Sequence, residues 1–398
     1  MSAQRATAWP FIRLYGLAFL FFSANSVLNV IVPLRSESMG ASNATIGFIM
    51  GTYMLTCMFF RPWAGHLVGK YGPIRVLRVL LIVNGTALLL YTVTGLEGFV
   101  AARLLQGICT AFFSMALQMG IIDSLPDEER SQGVSLYSLS TYMPTIVGPI
   151  IAFGIWEWGR MNAFTATMIA IAVTTGLFGY SASIQADSVR KEQHSDVGML
   201  NALRRIAEHP YLLVCSLIML AVSVVFGAVS VFIPLYVQQV AYGNAGIYLM
   251  LQAGVIVYSR FVLRKRIPSD GKWHQRFIIG ILLLAAVAAV LLSLSESAGF
   301  VLLYAAAILM GIAQALLYPT LTTYLTFVLP SASRNIGIGL FIASADFGIS
   351  LGGIALGPVA DHSSYSAMYA VCSGLVLAAV CVAMFYKRQM NPIAEKRI

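Results

Sequence analysis

Charge is scarce in this chain. Only 10% of its 398 residues are Asp, Glu, Lys or Arg, against about 25% in soluble domains. With 59% hydrophobic residues and a mean hydropathy of +0.81, most of the length must face lipid or other apolar helices. A soluble globular protein is excluded. Acidic groups are the scarcest, 16 against 25 basic ones, for a net charge of +9. That excess forms no single patch. Twenty basic residues fall in segments expected to be cytoplasmic, two (Arg35 and Arg160) in external ones, and three (Arg61, Arg103 and Arg260) within apolar runs. Such asymmetry orients a membrane protein and argues against a nucleic-acid surface.

Metal and nucleophile chemistry is equally thin. The five cysteines (57, 109, 215, 372 and 381) all lie in apolar runs with no CxxC spacing, and they read as small buried hydrophobes. The five histidines are scattered, so neither a metal nor a cofactor is expected. No GxxxxGK[ST] phosphate cradle appears: Gly65-x-x-x-Gly69-Lys70-Tyr71 is one residue short and lacks the hydroxyl. HExxH is absent too, and the one GxSxG string, Gly348-Ile-Ser350-Leu-Gly352, lies inside an apolar run and not at a strand-to-helix elbow, which removes the usual membrane hydrolases. The first apolar run ends in Pro33-Leu34-Arg35 without a small-residue cleavage site and reads as a retained span.

What the chain does contain is long hydrophobic runs. A spanning helix needs about 20 apolar residues, and twelve stretches qualify. They cover approximately 11–34, 45–68, 76–95, 98–122, 132–155 and 163–184, then 211–238, 244–263, 276–295, 299–327, 335–358 and 365–386. An even count places both termini on one side, the cytoplasm by the charge rule. Between the halves, 185–210 is the one long polar stretch. Leu200, Leu203, Ile206 and Ala207 recur there at helical spacing, so it is either a surface-lying amphipathic helix or a plain solvated linker.

The halves echo each other. Asn29-Val-Ile-Val-Pro33-Leu34 matches Ser230-Val-Phe-Ile-Pro234-Leu235; Arg61 matches Arg260, Gly107 matches Gly311, and Arg130-x-x-Gly133 matches Arg334-x-x-Gly337. The offsets drift only from 199 to 204. The expected fold is therefore an all-α membrane protein of 12 transmembrane helices in two parallel six-helix repeats. Its domains are 1–184, a linker 185–210, and 211–398. Transporters built from parallel repeats hold their substrate at the repeat interface.

One turn joins the second and third runs. Gly65-His-Leu-Val-Gly69-Lys70-Tyr71-Gly72-Pro73-Ile74-Arg75 reverses the chain at 69–73 and puts Lys70, Arg75 and Arg78 on one membrane side. It resembles the loop signature of the major facilitator superfamily. Arg103-Leu-Leu-Gln106-Gly107 is similar to that superfamily's buried-arginine motif, and Gly148-Pro149 resembles the antiporter motif of its proton-driven exporters. The loop signature normally has an acidic residue where this chain has Gly69. The charge relay of relatives is then absent, or it uses Asp123 or Glu128 and Glu129. Ala8-Trp9-Pro10-Phe11, Phe21-Phe22-Ser23-Ala24-Asn25, Ile31-Val32-Pro33-Leu34-Arg35, Arg61-Pro62-Trp63-Ala64-Gly65 and Cys109-Thr110-Ala111-Phe112-Phe113-Ser114 resemble exporters of staphylopine-type opine metallophores. That resemblance implies proton-coupled export of a metal-free, carboxylate-bearing chelator across a bacterial cell membrane by a monomer. A multidrug exporter of lipophilic cations shares much of the same pattern.

Charge inside lipid is costly, about 2.5–3.5 kcal/mol on translocon scales, so intramembrane ions are candidates by default. Asp346, in Ala343-Ser-Ala-Asp346, is the carboxylate placed well inside a span. It either exchanges a proton or pairs permanently with a polar neighbour. Arg103 either holds a substrate carboxylate bidentately, tunes a proton site, or is satisfied by carbonyls and Gln106. Arg35 is an interfacial snorkel or a second anion ligand. Asn25 and Asn29 share a helix face. With Tyr53, Gln118, Tyr142, Gln252, Gln314 and Tyr318 they either line a polar cavity or make ordinary interhelical hydrogen bonds. Gly148-Pro149 and Gly352-Gly353 sit at matching places as movable or as static packing.

Overall fold

The computed structural model describes residues 5–159, 161–182, 209–240, 242–263, 266–268, 270–329 and 334–386. Lipid offers no partner to backbone N–H and C=O groups, so apolar runs of this length must close their hydrogen bonds within helices. Twelve such helices form among the described residues, and no strand does. They are α1 (Trp9–Ser38), α2 (Asn43–Tyr71), α3 (Pro73–Val93), α4 (Leu96–Ser124), α5 (Asp127–Glu157) and α6 (Met161–Tyr180). Then follow α7 (Pro210–Val240), α8 (Ala245–Val262), α9 (Gln275–Ala298), α10 (Phe300–Val328), α11 (Arg334–His362) and α12 (Tyr365–Phe385). All twelve are long and apolar enough to cross a membrane. The amphipathic pattern at 200–207 lies outside the described residues.

Local chemistry sets the ends. Ser42 Oγ accepts the Thr45 N–H at 3.2 Å and starts α2; Ser364 Oγ accepts the Ala367 N–H at 3.1 Å and starts α12. The reversal expected across 69–73 is tighter than that. Helix α2 continues through Gly69 and Lys70 to Tyr71, and Pro73 already opens α3. Gly72 alone makes the turn at φ 82°, a left-handed angle that a side chain rarely adopts. A proline at the first helical position loses no intrahelical bond, so a single residue suffices.

The chain divides into two compact units: Met1–Ser195 with Ser230–Gln239 and Asn244–Met250, and Asp196–Val229 with Val240–Gly243 and Leu251–Ile398. In the first, α2 and α3 pack on α4, α1 on α5, and α3 on α6. Its core holds Leu14, Leu17, Phe21, Phe113, Leu117 and Ile121, with Phe21 and Phe113 stacked at 3.8 Å. In the second, α9 packs on α10 and α12, the same arrangement one repeat later. Before α9, His274 and Asp270 share a 2.8 Å hydrogen bond that holds the Asp270 carboxyl below the ordinary aspartate range. That turn seats Trp273 edge-on against Tyr324 and Tyr386.

Four cysteines are buried as expected, but Cys381 is exposed, because it lies on the outward face of α12.

Candidate functional site

Glycine contacts show how closely the repeats match. A Cβ on Gly107 of α4 would lie 2.5 Å from the Tyr53 carbonyl oxygen of α2, and one on Gly311 of α10 would lie 2.9 Å from the Gln252 carbonyl oxygen of α8. Gly133 would strike Leu125, and Gly337 would strike Leu329. Gly148 of α5 abuts Ser26 of α1, while Gly352 of α11 abuts Val224, Gly227 and Ala228 of α7. Each pairing repeats at the offsets read in the sequence.

That register explains several candidate side chains. Tyr53 donates its hydroxyl to Thr110 Oγ1 at 3.1 Å, tying α2 to α4. Gln252 donates Nε2 to Gln314 Oε1 at 3.2 Å, tying α8 to α10. Positions 53 and 252 are 199 apart, and 110 and 314 are 204 apart. The two bonds are the same interhelical strut, made once with a phenol and once with an amide. Three of the expected cavity residues are thus engaged with neighbouring helices.

Charge is where the repeats differ. Arg103 corresponds to Ala307, and Asp346 to Tyr142. Helix α4 carries Arg103 two turns from its start, and the side chain is 0% exposed. Nη1 donates to Asn25 Oδ1 at 3.0 Å; Nη2 donates to the Leu28 carbonyl oxygen and to Met50 Sδ, both at 3.1 Å. The Tyr53 and Tyr91 rings lie 5.5 and 5.8 Å from Cζ. No carboxylate pairs with Arg103 among the described residues, and its Nε is buried without a hydrogen bond. Gln106, one partner expected for it, accepts instead from the Tyr91 hydroxyl at 2.8 Å. Charge-assisted hydrogen bonds contribute about 1.5–3 kcal/mol each and a desolvated cation–π contact about 2 kcal/mol, enough to hold the ion without a counter-charge. The result is a fixed positive centre inside the first unit, closed to solute in this conformation.

Near the end of α1, Arg35 Nη1 donates to the Tyr91 carbonyl oxygen at 2.8 Å, and its guanidinium lies over Phe99 and Phe164. Asn25 is occupied by Arg103, and Asn29 makes no side-chain hydrogen bond among the described residues. Gln118 is exposed; Tyr142 and Tyr318 are half-buried, with Tyr318 against Phe341. Asp346 is buried, 7% exposed, in α11. Two residues on, and so on another face of α11, a Cβ at Gly348 would lie 2.6 Å from the Leu220 carbonyl oxygen of α7.

Of the loop-signature residues, Gly65 is buried in α2, Lys70 lies over Tyr71, and Arg75 is exposed. Asp123 sits on the last turn of α4, with its side chain outside the described residues. Glu129 is engaged elsewhere: it accepts the Ala6 N–H at 2.9 Å. Pro149 lies within α5, where Ser26 donates to the Pro144 carbonyl oxygen at 2.8 Å. Sequence reasoning missed Thr110, Tyr91, Met50 and Ser26. Only Thr110 left a trace, as the counterpart of Gln314.

Twelve apolar helices in two matched sets, with one buried arginine and one buried carboxylate among the described residues, define a multi-pass membrane transporter. The Major Facilitator Superfamily model matches residues 14–269 and 269–397, and the chain belongs to that family. It is 47% identical over 393 residues to the staphylopine export protein of Staphylococcus aureus, covering 98% of this chain and 99% of that one. Multidrug resistance protein 2 of Bacillus subtilis is 27% identical over 175 residues, 42% of this chain and 43% of its own. Among solved structures, the nucleoside transporter NupG aligns with a TM-score of 0.72 at 14% identity, covering 96% of this chain and 100% of that one, a likeness of fold alone.

Proposed function

We propose that this chain exports a staphylopine-like opine metallophore in its metal-free form, by proton antiport and alternating access, from a bacterial cytoplasm. One observation carries the reading: 47% identity across 98% of the chain to a staphylopine export protein. Arg103 adds physical support. An arginine cannot be neutralised at accessible pH, so it biases the interior of the first unit toward an anion such as a carboxylate-rich chelator. Asp346 is the proposed proton carrier, with Asp123 as a second acid near the α4 end. The domains 1–184, 185–210 and 211–398 serve as first bundle, cytoplasmic linker and second bundle. Both termini are cytoplasmic under the positive-inside rule.

A second reading, proton-driven efflux of lipophilic cations, is favoured by the likeness to Multidrug resistance protein 2, but over only 42% of the chain. A buried cation disfavours cationic cargo. The test compares the medium of zinc-limited cells with and without the gene. Loss of an extracellular histidine-derived chelator, with the chelator retained inside, is expected. Unchanged chelator with lost resistance to lipophilic cations would replace this reading by the second.

A further inference from the structure

The end of the first unit away from the Gly72 turn carries a small groove that the transport reading does not use. It is lined by Ile31 and Ser38 of α1, Ile155 and Trp156 of α5, Gly159, and Met161 and Phe164 of α6, and encloses about 270 Å³. That is below the roughly 300–1,000 Å³ of clefts that take drug-sized solutes. Its wall is almost entirely apolar. The one hydroxyl in it, Ser38 Oγ, already donates to the Arg35 carbonyl oxygen at 2.8 Å. Trp158, next in the chain to the exposed Glu157, is 74% exposed, and Met161 of the wall is 37% exposed.

A cation stands at this groove. Ile31, Arg35 and Ser38 fall at i, i+4 and i+7, one stripe of α1. The Arg35 guanidinium lies 5.8 Å from the centre of the Phe164 ring, which is itself part of the wall. Only Nη1 is engaged, on the Tyr91 carbonyl oxygen. Among the described residues no carboxylate forms an ion pair with Arg35. Glu37 is two positions on and so off the Arg35 stripe, and Glu157 accepts from the Asn244 amide at 3.4 Å.

We propose that this groove is a site for an anionic phospholipid, one acyl chain lying along Ile31, Ile155 and Phe164 and the phosphate held by Arg35. A guanidinium fork matches phosphate oxygens bidentately, and an exposed tryptophan beside it marks the headgroup level of a bilayer. A polar chelator is a poor occupant, because seven mostly apolar residues would strip its groups of water without returning hydrogen bonds. The site stands independently of the solute that the transporter moves.

The test is native mass spectrometry of the full-length protein, purified in mild detergent and titrated with phosphatidylglycerol or phosphatidylethanolamine of equal chain length. Wild type is expected to retain one phosphatidylglycerol at least tenfold better than phosphatidylethanolamine. Arg35→Gln should abolish the preference, and Arg35→Lys should keep part of it. Ile155→Trp, which fills the groove and leaves the cation, should lower retention of both lipids; a thermal melt checks that each variant folds. Equal retention of the two lipids by wild type overturns the proposal, as does undiminished phosphatidylglycerol retention in Ile155→Trp. Lost export in Arg35→Gln with the lipid preference intact would assign Arg35 to the solute and overturn it as well. If Arg35→Gln does not fold, Ile155→Trp decides.

Discussion

Replacing Gly352 by alanine drives a methyl carbon into backbone. The added Cβ would sit 2.2 Å from the Val224 carbonyl oxygen, 2.6 Å from the Ala228 nitrogen and 2.9 Å from the Gly227 carbonyl carbon. Ordinary contact begins near 3.4 Å, so α7 and α11 must part by about 1.2 Å at that point. None of the three atoms belongs to a side chain that could swing aside. Overpacking of this kind costs about 1–3 kcal/mol, and the rigid backbone on both sides puts G352A at the upper end. Alanine has the better helix propensity, by about 0.5–1 kcal/mol, which only partly offsets the clash. Gly280 of α9 supplies the control: a Cβ there meets nothing within 4 Å. Gly280→Ala should therefore match or slightly exceed wild type. The assay is a thermal melt of detergent-purified protein, read by intrinsic fluorescence, for wild type, G352A, G280A and the double variant. G352A should melt well below wild type, and the double variant should track G352A. Should G352A and G280A melt together, the close approach of α7 and α11 is wrong.

Two further outcomes follow from the same geometry. In a double-mutant cycle of Tyr53→Phe and Thr110→Val, the coupling should be near 0.6 kcal/mol and no more than about 1.7 kcal/mol, the range for hydrogen bonds between membrane helices; zero coupling in the melts removes the strut. Asp346→Asn should abolish pH-driven export in everted vesicles while leaving downhill exchange of solute intact, and unchanged pH-driven export takes Asp346 out of the mechanism.

The legibility of this protein in its sequence was uneven for physical reasons. Hydropathy located all twelve helices within a few residues, because lipid leaves a 20-residue apolar run no other way to satisfy its backbone. It misjudged the α2–α3 turn, since Gly and Pro at 69–73 look alike as breakers until the backbone shows that Gly72 alone carries the positive φ. Cys381 was misplaced because apolar context marks the lipid face and the packed face alike. Arg103 and Asp346 stood out as ions in apolar runs, but nothing in the order of residues said that Arg103 would be closed off by Asn25, Met50 and two tyrosines.

The sequence by itself determined the number of spans, their twofold repetition and the identity of the few charges among them, since each follows from composition along the chain. Tertiary structure alone decided which side chains meet. In lipid the packed and unpacked faces of a helix are equally apolar, so no hydrophobic stripe announces the azimuth. The partners of Arg103 lie 53, 75 and 78 positions away on other helices, and only the packing of α1 and α2 on α4, the latter through Gly107, brings them within reach.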